Sequence, residues 1–344
     1  AYRYVGSDIH HRTGSQGNYI MVDQDSYVEN LADVEIDPVR FKNAATVLTK
    51  SEIGKCRSAL GALQWLAVQT QPQICARCNL LLSELAREPK MTVAQEIQQV
   101  IRETRKHPHR LRFDRIPSVN HWQQMVVVTM GDQAHNNRPD GSSTGGLINF
   151  LGGPELLDGS PGRLVMVSWR TWKLRRVAIS SNDAEIQAMV EAEDVNFRTR
   201  LLWAELNGAG AEKGLDLLAF AEQEVSAVPG VVAADSKGGF DAVTLQEGPY
   251  LGLSNVRSAI QAFQLKQSFA DTKAWLIWLA SDWLLADALT KKIQECRKSL
   301  LQFMRTGVWM LQYNPGFETS ARKNKRAGKD ALTQMKKATE KFAS

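Results

Sequence analysis

Between residues 124 and 279 the apolar residues change their spacing in an order that few architectures accommodate. Three apolar runs (124–130, 146–151 and 164–169) are separated by the turn-rich stretches 136–145 and 152–162, the pattern of an antiparallel meander. Helical spacing follows over about 183–206, then a strand at 228–234, helical sequence again at 254–269, and a last strand at 274–279. The order βββαβαβα predicts an α/β fold: a mixed five-stranded sheet flanked by helices.

The segment ahead of it has a different character. Residues 2–5 and 19–22 read as short extended pieces either side of a turn at 14–17. Thr49-Lys50-Ser51-Glu52 offers a helix N-terminus, and Ile53, Cys56, Leu60, Leu63 and Leu66 continue it at helical spacing. Gln71-Pro72-Gln73 breaks that helix; a second runs to about residue 86 and a third over 92–105. This is a small hairpin-plus-helices unit. His107 and His109 lie in a basic stretch that reads as a solvated turn or domain edge. The expected division is 1–118, 119–292 and a basic extension over 293–344, whose first part holds a helix at 294–304 and a short strand at 308–311.

Composition narrows the class. A chain of 344 residues with 43% hydrophobic and 23% charged residues can bury a sizeable core. No apolar run approaches the roughly 20 residues that span a bilayer, so no membrane partner is expected. The chain opens on Ala1, with neither an initiator Met nor a signal peptide, as a fragment or processed product would. The net charge of +5 is concentrated: residues 321–344 carry eight basic side chains against two acids. A basic tail on a near-neutral body suits a polyanion, or is simply a solvated terminus; Leu332, Met335, Thr339 and Phe342 would share one face of a helix there. Four cysteines are too few for a disulfide scaffold, which points to a reducing, intracellular compartment. Cys75 and Cys78 form a C-x-x-C without a second pair, in apolar surroundings that read as core.

Four acids stand in settings that suggest chemistry. Asp132 follows the apolar run 125–130, Glu185 lies in Ser180-Ser181-Asn182-Asp183-Ala184-Glu185 at a helix start, Asp235 ends Val231-Val232-Ala233-Ala234, and Asp287 sits in Ala286-Asp287-Ala288-Leu289-Thr290-Lys291. Carboxylates at buried strand ends cost free energy unless something positive meets them, and a divalent cation is the usual resolution when several converge. Taken singly, Glu185 also reads as a helix N-terminal acid and Asp287 as an exposed helical one. Asp140, Asp183 and Asp282 are expected to face solvent or cap. All six histidines lie at or before position 135, so no histidine triad serves the region of Glu185, Asp235 and Asp287.

Taken together, these stretches resemble ribonuclease H, and more narrowly that of Ty1/copia-type retrotransposon polyproteins. The resemblance is carried by Thr129-Met130-Gly131-Asp132, Ser142-Ser143-Thr144-Gly145, Val167-Ser168-Trp169, the segment 180–185 and Ala286-Asp287-Ala288-Leu289-Thr290-Lys291. Earlier, Tyr4-Val5-Gly6, Val22-Asp23-Gln24, Leu48-Thr49-Lys50-Ser51-Glu52 and Ala59-Leu60-Gly61-Ala62-Leu63-Gln64-Trp65 are similar to the thumb and connection region that follows the polymerase centre. Gln69-Thr70-Gln71-Pro72-Gln73 departs from the family's Gln-Thr-Arg-Pro-Asp. No tyrosine is followed by the Tyr-x-Asp-Asp pair of a polymerase site, so the chain reads as a piece that begins after that centre.

The resemblance implies an RNase H-like sheet and hydrolysis of the RNA strand of RNA–DNA hybrids. It places metal-binding, catalytic roles on Asp132, Glu185, Asp235 and Asp287. Two Mg²⁺ ions (or Mn²⁺) would be held by oxygen ligands, one to activate water and one to stabilise the leaving 3′ oxygen. Strand contacts fall on Ser180, Ser181 and Asn182 by family position, and on Trp172 and Lys173 as an aromatic–basic pair; Trp169 reads equally as core. Further expected partners are the RNA–DNA hybrid and an upstream polymerase domain of the same polyprotein, with a virus-like particle or the nucleus as the setting. The alternative is a retroelement remnant that binds nucleic acid without cleaving it.

Overall fold

The computed structural model describes residues 2–14, 17–209, 221–244, 253 and 255–312. The basic tail and its helical face at 332–342 lie outside the described residues.

The N-terminal sheet is an antiparallel meander of β1 (Tyr2–Tyr4), β2 (Ser7–Gly14) and β3 (Gly17–Asp23), completed by β4 (Leu111–Asp114), which returns to pair with β3. The hairpin expected at this end is thus a four-stranded sheet. β2 has little apolar alternation (Ser-Asp-Ile-His-His-Arg-Thr-Gly), and β4 is only four residues long, so neither announces itself in sequence.

Between β3 and β4 come α1 (Asp25–Glu29), α2 (Pro38–Lys42), α3 (Lys50–Gln69), α4 (Cys75–Arg87) and α5 (Met91–Lys106). α3 starts where its capping box requires: Thr49 accepts from the Glu52 amide while the Glu52 carboxylate accepts from the Thr49 amide. A single 3-10 turn at Pro72–Ile74 separates α3 from α4. Cys75 and Cys78 are buried in α4, and burial pushes both thiols well above their ordinary value, as expected of core cysteines.

The second sheet is mixed and six-stranded. Its order is β10–β7–β6–β5–β8–β9, from β5 (Val126–Ala134), β6 (Thr144–Gly152), β7 (Gly162–Lys173), β8 (Gly230–Ala234), β9 (Ala274–Trp278) and β10 (Val308–Trp309). β5, β6 and β7 form the expected antiparallel meander, and β8 and β9 add in parallel beyond β5. The sixth strand, one more than expected, is β10, which pairs with the start of β7 through two residues. The α/β class, with a mixed sheet between helices, is as the sequence predicts.

The helices of this half are α6 (Ser181–Leu206), α7 (Ala221–Val225), α8 (Lys237–Thr244), α9 (Val256–Thr272) and α10 (Gln294–Thr306). α6 comes so close to the sheet that a Cβ on Gly131 would stand 3.0 Å from Ala192 Cβ. Asn196 then reaches into the sheet and donates to the Val127 and Val231 carbonyls, tying β5 to β8.

One apolar core joins the two halves: Leu60, Leu63, Leu66, Cys78 and Leu81 pack in the same cluster as Val128, Met130, Ile148, Phe150 and Leu289. Trp169 lies against this core and donates its indole N–H to the Ala67 carbonyl at 2.7 Å, so the packing reading of that residue holds. No helix among the described residues is long and apolar enough to cross a membrane.

Candidate metal centre

The ends of two neighbouring parallel strands bring the first two acids together. Met130 pairs with Ala233, and Asp132 and Asp235 each lie two residues further along their chains. This is the carboxyl end of adjacent parallel strands, where open α/β sheets hold their ligands. Glu185, in the first turns of α6, completes the group: one ligand atom from each of Asp132, Glu185 and Asp235 lies within 4.8 Å of the others. These three residues could hold a metal ion.

Each carboxylate is held by a neighbour to which the sequence assigns no role. Gln133, beside Asp132, donates Nε2 to Glu185 Oε1 at 3.1 Å. Ser281 donates to Asp235 Oδ2 at 2.6 Å, and Thr290 donates to Asp132 Oδ2 at 2.5 Å. Thr290 arrives there because Gly146 lies directly across from Asp132 on β6. A Cβ at Gly146 would stand 2.7 Å from Leu289 Cβ and 2.8 Å from Thr290 Cγ2, so only glycine lets the 3-10 turn Leu285–Leu289 settle on the sheet.

Asp287 sits in that turn and is buried, not exposed as a free helical acid would be. It is not one of the three residues within mutual ligand distance. Its Oδ1 is met by the Lys291 ammonium, which also stands 4.0 Å from Asp132 Oδ2.

The electrostatics describe a site short of positive charge. Burial pushes Asp132 up to about 8; Lys291 opposes the rise and Asp235 and Asp287 add to it. Glu185 is raised well above its ordinary value by burial and then by Asp235 and Asp132. Burial works against the Lys291 charge, yet Asp132, Asp287 and Asp235 outweigh it and hold the lysine above its usual value. Within this pocket Glu185 Oε2 and Gln133 Oε1 are buried without a hydrogen-bond donor. An orphaned carboxylate oxygen beside two further carboxylates fits a cation with oxygen preference.

The residues expected to touch nucleic acid are in differing states. Ser180 caps α6 by accepting from the Asp183 amide at 3.2 Å, Ser181 opens the helix and is exposed, and Asn182 packs against Gly238. Trp172 is half-buried with the Arg170 guanidinium 4.5 Å above its ring, and Lys173 pairs with Asp140. Asp140 caps its turn, as expected, by accepting from the Ser142 amide. Asp183 corrects the expectation of a solvent-facing or capping acid: it is fully buried in the first turn of α6, and neither oxygen has a hydrogen-bond donor. The first turn of a helix that packs against a sheet has one inward face, and Asp183 falls on it. Asp282 is half-buried.

No family model matches the chain. A secreted RxLR effector protein 161 of Plasmopara viticola is 31% identical over 136 residues, 39% of this chain and 84% of that protein. The chain belongs to that protein's family. Two solved structures are also similar at low level. The foamy viral protease–reverse transcriptase in complex with an RNA/DNA hybrid has 13% identity and a TM-score of 0.28, matching 61% of this chain and 27% of that one. The native prototype foamy virus enzyme has 12% identity and a TM-score of 0.27, matching 58% of this chain and 23% of that one. The chain therefore spans about a quarter of the length of either viral protein.

Proposed function

We propose that this chain is a metal-dependent nuclease of ribonuclease H type, cutting the RNA strand of RNA–DNA hybrids, and that it derives from a copia-type reverse transcriptase. The observation that carries this reading is the convergence of Asp132, Glu185 and Asp235 at the carboxyl ends of two parallel strands, with Glu185 Oε2 buried and unpartnered. In this reading residues 119–292 are the nuclease unit, 1–118 the connection segment and 293–344 a basic extension.

The oxygen-only donor set suits Mg²⁺, with Mn²⁺ as a substitute. When bound, such an ion supplies Lewis-acid activation of water and charge stabilisation at the scissile phosphate. The protein's part is positional. Gln133 fixes the Glu185 carboxylate by one oxygen and leaves the other for a ligand, Ser281 holds Asp235, and Thr290 holds Asp132. Exposed Ser181 and the α6 N-terminus suit a backbone phosphate, and Trp172 under Arg170, with Lys173 beside it, suits the partner strand. RNA would be told from DNA by contact to the 2′-hydroxyl.

The test is cleavage of a labelled RNA–DNA hybrid with Mg²⁺ by the parent chain and by Asp132→Asn. Parent cleavage that the variant loses by about a hundredfold or more supports the reading. A parent chain that binds hybrid but leaves it intact would favour the non-catalytic binding remnant instead.

A further inference from the structure

The resemblance on which the nuclease reading draws implies two cations, but the donor atoms found here are arranged for one. Asp287 does not join the ligand group of Asp132, Glu185 and Asp235. Asp132 has its Oδ2 engaged: that oxygen accepts from Thr290 at 2.5 Å and faces the Lys291 ammonium at 4.0 Å. Its Oδ1 carries neither contact and is the less encumbered oxygen for a metal. The same ammonium meets Asp287 Oδ1.

We propose that Lys291 stands in for the second cation, so that the centre takes a single divalent ion on Asp132, Glu185 and Asp235 while the ammonium neutralises Asp287 and the outer oxygen of Asp132. The placement is built in rather than incidental. Lys291 follows Asp287 by four residues, so the two side chains meet across one turn, and Thr290 between them is locked to Asp132. The segment carrying all three rests on Gly146, where no side chain could be accommodated without displacing Leu289 and Thr290. An ammonium is a compact point charge with three donors and can satisfy two carboxylates at once. A fixed lysine supplies positive charge at all times but does not activate water, so the residue is a positioning residue for the acids. A single ion would then carry the Lewis-acid chemistry.

This inference rests on the nuclease reading only for the existence of the metal site, and the test separates the two. The full chain is titrated with Mn²⁺, with free ion followed by electron paramagnetic resonance, alongside Lys291→Gln and Lys291→Arg. The expected result is one ion per chain for the parent and for Lys291→Arg, and two for Lys291→Gln. The second ion should bind within about tenfold of the affinity of the first. Lys291→Gln should also melt at lower temperature than the parent without metal and regain most of the difference with saturating Mn²⁺; Lys291→Met serves if the glutamine variant does not fold. Two ions on the parent would overturn the inference and leave the nuclease reading standing. One ion or none on both neutral variants would overturn it as well, since lysine would then not be what occupies the second place. No ion on the parent would overturn both readings.

Discussion

Glu185 carries two oxygens in different circumstances: Oε1 accepts from Gln133, and Oε2 is buried with no donor. Such a group is costly to ionise, which is why burial and the neighbouring Asp235 and Asp132 raise it. Replacing it with glutamine removes the charge and keeps the shape. We expect Glu185→Gln to melt about 2 °C or more above the parent without metal. Its Mn²⁺ affinity should fall at least about tenfold; calorimetry showing parent-like binding would sink the assignment of Glu185 as a ligand. Asp132 makes a pH argument. A carboxyl raised in the fold favours folding below its unfolded value and loses that contribution as pH climbs through the folded one. With Asp132 raised to about 8, metal-free protein should lose thermal stability between about pH 5 and pH 8, and saturating Mg²⁺ should flatten the decline. Melting curves at several pH values, with and without Mg²⁺, check both statements. A metal-free protein that becomes more stable over that range contradicts the electrostatic account.

Two elements hold the site by approaching closer than side chains allow. The 3-10 turn Leu285–Leu289 reaches Asp132 only over Gly146, and a Cβ there would also come within 3.1 Å of the Leu289 backbone carbon. Gly146→Ala should therefore cost about 1–3 kcal/mol in urea unfolding and weaken Mn²⁺ binding, because Thr290 and Lys291 move with the turn. Unchanged stability and binding would show that the turn is not seated by that glycine. A second fixing point lies at the other end of α6. Arg200 is almost fully buried and donates to the carbonyls of Val228 (2.7 Å), Val225 (2.9 Å) and Thr272 (2.5 Å), joining α6 to the start of β8 and the end of α9. Arg200→Met would strand those carbonyls and should cost roughly 3 kcal/mol, read as a lower urea midpoint at unchanged slope. These features also mark the limit of what the sequence discloses. Helical spacing and apolar runs made α3, α4, α5, α6 and the strands from β5 to β9 legible, and the acids stood out because carboxylates at strand ends are unusual. The partners did not stand out. Thr290 meets Asp132 across 158 positions, and a pairing so distant leaves no local period to read. Lys291 was visible only as one letter of a motif, although its spacing of four from Asp287 was the available signal. β2 and β4 were hidden because a polar or four-residue strand is defined by its neighbours.

The site depends on the whole chain, because the segment bearing Thr290 and Lys291 is held from the N-terminal helices. Lys292, the next residue, pairs with Glu84 of α4 at 2.7 Å and Glu96 of α5 at 2.8 Å. Arg77 and Arg297 share Glu103, and Arg138 donates to Asn79 and Ser83 from the loop after β5. Beneath these polar ties runs the apolar cluster that holds Leu60 and Leu289 together. Burial of that kind is the dominant stabilising term in a fold, so separating the halves would expose side chains that neither half can cover alone. We therefore expect residues 2–312 to unfold as one cooperative unit, with calorimetric and van't Hoff enthalpies that agree. A piece beginning at residue 119 should be poorly soluble or lack a sharp transition, and should not bind Mn²⁺ with parent affinity. Lys292→Ala is the milder probe. If the N-terminal helices position the turn, it should weaken Mn²⁺ binding by a few fold while costing only about 1 kcal/mol, the scale of a partly exposed ion-pair network. Two well-separated thermal transitions in the full chain, with the metal response confined to one, would show instead that the nuclease half stands alone and that its contacts with α3, α4 and α5 are incidental to the site.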